Sequence, residues 1–91
     1  MVAHPDADRV MHALRAQLRS TIPSVLVRPD SIEVQALLVD LAKSTDRAAD
    51  LLAEVAPEAL AALRCALDHA AAQQPEECAA ELVAAHYHLS P

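Results

Sequence analysis

Residues 29–55 read PDSIEVQALLVDLAKSTDRAADLLAEV, and their spacing decides the fold. Val34, Leu38, Leu41, Thr45, Ala48, Leu52 and Val55 follow one another in alternating steps of four and three, the seam of one α-helix. Roughly 25 helical residues at about 1.5 Å each give a rod of about 37 Å. Ser44-Thr45-Asp46 are residue types that also cap helices, so a break there competes with continuity. The unbroken seam predicts a single long helix. Its start is marked by Asp30 and Glu33, three apart ahead of the apolar run, the pattern of a capping box with Asp30 as N-cap and Pro29 just outside.

Outward from this stretch the same punctuation recurs. Pro5-Asp6, Pro57-Glu58 and Pro75-Glu76 each join a proline to an acid. Proline is tolerated in a first helical turn because its missing N–H had no partner there, and a carboxylate beside it meets the positive end of the helix dipole. With Pro29-Asp30, these marks predict four helix starts. The chain of 91 residues has no glycine and no asparagine. The helices are therefore expected to end in tight turns or proline corners, without a left-handed cap. The fold class expected is all-α, a four-helix bundle with a long second helix, forming one domain over residues 1–91.

The first helix is predicted from Pro5 to about Ser20, with Val10, Leu14 and Leu18 as its apolar stripe and His12, Arg15 and Arg19 on another face. Pro23 should stop it and push Ile22 towards an extended conformation. The apolar segment Ile22 to Val27 then becomes a connection without an obvious internal partner. In the third helix Leu60, Leu63, Leu67 and Ala71 form the predicted inner stripe. In the fourth it is Cys78, Leu82, His86 and Leu89.

Composition limits the functional classes. Alanine supplies 21 residues and leucine 13, while Tyr87 is the sole aromatic. Such a core buries little area per residue, so self-association is a natural supplement. The net charge of −6 divides into +2 for residues 1–28 and −8 for residues 29–91. An acidic body argues against a nucleic-acid partner, although Arg15 and Arg19 would be the contact if there were one. The longest run free of Asp, Glu, Lys and Arg, Leu82 to Pro91, is too short for a membrane span. The amino end lacks the layout of a signal peptide. A cytoplasmic protein with reduced Cys65 and Cys78 is expected.

Three constellations invite chemistry. Cys65 and His69, at i and i+4, come level with Cys78 if the last two helices fold back as a hairpin, and thiolate with imidazole would suit zinc or copper(I) in a metal-responsive regulator. The competing reading makes both cysteines small buried apolar residues. At the amino end, Val2-Ala3-His4 could wrap Cu(II) or Ni(II) once Met1 is removed.

The third constellation is Pro29-Asp30-Ser31-Ile32-Glu33, which resembles the Asp-Ser-Ile or Asp-Ser-Leu element of acyl and peptidyl carrier proteins. That resemblance implies a four-helix fold, with Ser31 holding a phosphopantetheine arm and Glu33 facing partner enzymes. Pro29 stands where the family has glycine, and a capping box accounts for the same five residues.

No Gly-rich phosphate loop and no nucleophile paired with a base is present, and Asp46, Asp50 and Glu54 read as a solvated acidic face. The sequence therefore favours a non-enzymatic interaction or oligomerisation module without a cofactor, whose partner is a second copy or another protein. Ile22, Val25, Leu26 and Val27, with Arg15 and Arg19, are its expected surface.

Overall fold

The computed structural model describes residues 5–90. Four helices follow in order: α1 Pro5–Val27, α2 Ile32–Val55, α3 Pro57–Ala71 and α4 Pro75–Leu89. Short turns make each helix antiparallel to the one before it. α1 packs on α2, α2 on α3, α3 on α4 and α4 back on α1, while the diagonal pairs do not meet. The result is an elongated four-helix bundle, 45 × 20 × 18 Å.

The helix of α2 is continuous, and its seam is buried as far as Leu52, with Leu38 half-buried and the expected last member, Val55, exposed. Val34, Leu41, Thr45, Ala48 and Leu52 are buried along it, and the Thr45 hydroxyl donates to the Leu41 carbonyl at 2.8 Å, which keeps this polar residue inside the helix. Leu14, Leu18, Leu63, Leu82 and Leu89 complete the centre of the core. Alanines at 59, 62, 66, 79 and 85 fill the positions between α3 and α4, where small side chains let the backbones approach closely. In the expected stripe of α3, Leu67 is half-buried and Ala71 is exposed, the core positions being taken by Ala59, Ala62 and Ala66.

Three local expectations are corrected. α1 does not stop before Pro23 but runs through it to Val27. At 100° per residue Pro23 lies on the ridge opposite the buried Leu14, Leu18 and Val25, and it is exposed, so the Arg19 carbonyl that loses its helical donor turns towards water. Thr21 and Ser24 on either side donate to the carbonyls of Gln17 and Ser20, at 2.7 and 3.1 Å. Burial of Val25 holds the last turn against the core.

The N-cap of α2 is Ser31, not Asp30. Ser31 has extended backbone angles, and its Oγ accepts the Val34 N–H at 3.1 Å, so the helix begins one residue later than the capping box implied. Asp30 is exposed in the turn.

The third correction is at the end of α3, where a left-handed cap forms without glycine. Gln73 has φ 63°. Its N–H donates to the Ala70 carbonyl at 3.1 Å, and the Gln74 N–H reaches the His69 carbonyl at 2.9 Å, the paired bonds of a Schellman motif. α2 and α3, by contrast, are joined by one buried residue. The Ala56 N–H donates to Leu52 and its carbonyl accepts from Leu60, at 2.8 and 3.2 Å.

Candidate functional site

The turn Arg28–Ser31 brings together the features that the sequence singles out. The segment Ile22 to Val27 is helical, so its side chains divide among faces instead of forming one apolar strip. Val25 is buried in the core and Ile22 is half-buried against it. Leu26 and Val27 are exposed, at 61% and 76%. Across the turn Ile32, the first residue of α2, is 81% exposed. Beside it, Pro23, Ser24 and Val27 line a shallow depression that reaches Ser31 and Glu33. Ile32 was not among the residues expected at this surface. At 100° per residue it lies about 160° from Val34, so the four-and-three seam alone already puts it on the outer face of α2.

Arg15, Arg19, Ile22 and Leu26 recur in steps of four, three and four, and so share one flank of α1. Arg15 is not free on that flank. Its Nη1 donates to the Leu89 carbonyl at 2.7 Å, satisfying the carboxyl end of α4. Arg19 and Arg28 are exposed.

A cleft of about 110 Å³ lies at the same end of the bundle, where all four helices converge, and Val25, Asp30, Val34, Gln73, Gln74 and Cys78 border it. Cys78 is 1% exposed, and burial pushes its thiol pKa up, which disfavours the thiolate.

The expected metal set is not assembled. The hairpin of α3 and α4 does form, but Cys65 is exposed on the outer side of α3 while Cys78 points into the core. His69 is engaged elsewhere, with Nδ1 2.7 Å from Oε1 of Gln74 across the Schellman turn. No group of three or more His, Cys, Asp or Glu side chains that could hold a metal ion is gathered among the described residues. The Val2-Ala3-His4 site lies outside the described residues. The Ser31 hydroxyl, the attachment point that the carrier resemblance implies, is half-buried and occupied as the N-cap of α2.

No helix among the described residues is long and apolar enough to cross a membrane. Comparison of the chain with family models, with curated proteins and with solved structures returned no match.

Proposed function

We propose that this chain is a non-enzymatic interaction or oligomerisation module that meets its partner at the α1–α2 corner. The observation that carries the reading is the pairing of a buried Val25 with exposed Leu26, Val27 and Ile32. Val25 ties the end of α1 into the core, so its exposed neighbours are presented from a rigid frame. Large apolar side chains held rigidly in water are the raw material of an interface centre. Exposed Arg19 and Arg28 on one side and Asp30 and Glu33 on the other give that centre a rim of mixed charge, which suits a partner whose own apolar patch is edged by both signs. The two free thiols accord with a cytoplasmic setting.

The test is the double variant Leu26→Ser, Val27→Ser. Its helical content and urea midpoint should match the parent, because exposed substitutions usually change stability by no more than about 0.5 kcal/mol. Capture of the partner that co-purifies with the parent chain from source cells should fall at least tenfold. Equal association by parent and variant would remove the corner from the reading.

A further inference from the structure

α4 is apolar on two opposite sides. Cys78, Ala79, Leu82, Ala85 and Leu89 face the core. Diametrically opposite, Glu76, Ala80, Val83 and Tyr87 fall within about 60° of arc, at 100° per residue. Val83 is 53% and Tyr87 75% exposed, and the Tyr87 ring stands edge to face with His88 at 5.6 Å. This ridge runs into the stretch Leu82 to Pro91, which has no Asp, Glu, Lys or Arg. Among the described residues, the outer ridges of α2 and α3 carry charges along their length, such as Asp46 and Asp50 on α2 and Arg64 and Asp68 on α3, whereas on α1 Arg9 is followed by Ala16, Ser20, Pro23 and Val27.

We propose that this ridge docks antiparallel on the α4 of a second copy, forming a two-fold symmetric dimer. The inference rests on the interaction-module reading and adds a second surface with a named occupant. Three relationships favour a second copy. The ridge is its own complement when reversed: Glu76 comes opposite Tyr87 of the second chain, and small Ala80 opposite larger Val83. The polar ends also match on reversal, since α4 has exposed Glu77 in its first turn and exposed His88 in its last, and a carboxylate can accept from an imidazole N–H. Glu77 and His88 lie on the same side of the ridge, the arrangement in which flanking positions of antiparallel helices meet like to like along the seam. The helix dipoles oppose each other as well. Within one chain Glu77 and His88 stand 11 residues apart, about 16 Å along the axis, so they cannot pair with each other.

A contact between two short helices falls at the lower end of specific interfaces, which bury roughly 1,200–2,000 Å². A weak dimer is expected, with a dissociation constant of the order of micromolar or above.

Sedimentation equilibrium of the full chain across a concentration series tests this, with circular dichroism confirming that each variant is folded. Val83→Glu should raise the dissociation constant at least tenfold. Glu77→Lys and His88→Glu should each weaken the dimer, and their combination should restore it towards the parent value. A parent chain that stays monomeric at millimolar concentration overturns the inference. So does a dimer that tolerates Val83→Glu but is lost in Leu26→Ser, Val27→Ser; that result keeps the module reading and moves the dimer to the α1–α2 corner.

Discussion

The Arg15 guanidinium closes the end of α4, donating from Nη1 to the Leu89 carbonyl at 2.7 Å across 74 residues of sequence. A cation placed on a helix carboxyl end meets both an unpaired carbonyl and the negative pole of the dipole. Because the contact is partly buried, Arg15→Met, which keeps the apolar stem, is expected to cost about 1–2 kcal/mol. Urea denaturation monitored by circular dichroism checks it. A loss that small in helicity but clear in midpoint would separate this anchoring role from a role for Arg15 in binding.

Ser31, not Asp30, terminates the free N–H groups of α2. Ser31→Ala should therefore lower stability by about 1 kcal/mol, while Asp30→Ala should stay within about 0.5 kcal/mol of the parent. The order of the two urea midpoints decides between the caps.

Gln73 holds a left-handed backbone with φ 63°, a conformation that disfavours any residue with a Cβ. Gln73→Gly is expected to stabilise the protein by about 0.5–1 kcal/mol, since the side chain is exposed and glycine fits that cap without strain. A lower midpoint for the variant would show that the Gln73 side chain contributes something that the backbone argument omits.

The two thiols should behave as opposites. Cys65 is exposed and should react with a thiol reagent at the rate of an unfolded peptide, whereas buried Cys78 should react only as the bundle opens. Burial raises the Cys78 pKa above its ordinary 9.0, so the folded state holds this proton more tightly than the unfolded one. Its contribution to stability is complete below pH 9.0 and is lost as pH rises through the folded pKa. Stability measured from pH 8 to 11 should fall more steeply for the parent than for Cys78→Ala.

Much of this architecture was legible in the residues. The four-and-three seam from Val34 to Val55 marked a long stripe that is buried as far as Leu52, and Pro57 and Pro75 mark the first residues of α3 and α4. Pro23 misled because a local rule against proline takes no account of which way the ring faces. On an exposed ridge, with Val25 buried one turn's edge away, tertiary packing outweighs the lost hydrogen bond. The Schellman cap escaped because glycine is its usual signal, and here Gln73 takes the place. At the corner, Leu26 and Val27 were identifiable as apolar residues, but their separation from Val25 depends on the helical phase of the segment, which an extended reading erased. The distance between Cys65 and Cys78 in environment, one wet and one dry, likewise depends on which side of each helix faces inward.

The single-residue joint at Ala56 has a consequence for how this chain can change. Its N–H belongs to the ladder of α2 and its carbonyl to that of α3, so the angular phase of one helix is geared to the other. Inserting one residue there would turn α3 by about 100°, carrying Leu60 and Leu63 out of the core. Gln74 couples α3 to α4 in the same way, its N–H donating to His69 and its carbonyl accepting from Cys78, whereas at Arg28–Ser31 no single residue belongs to both ladders. Length variation in related chains should collect at the Arg28–Ser31 turn and leave the joints at Ala56 and Gln74 fixed in register.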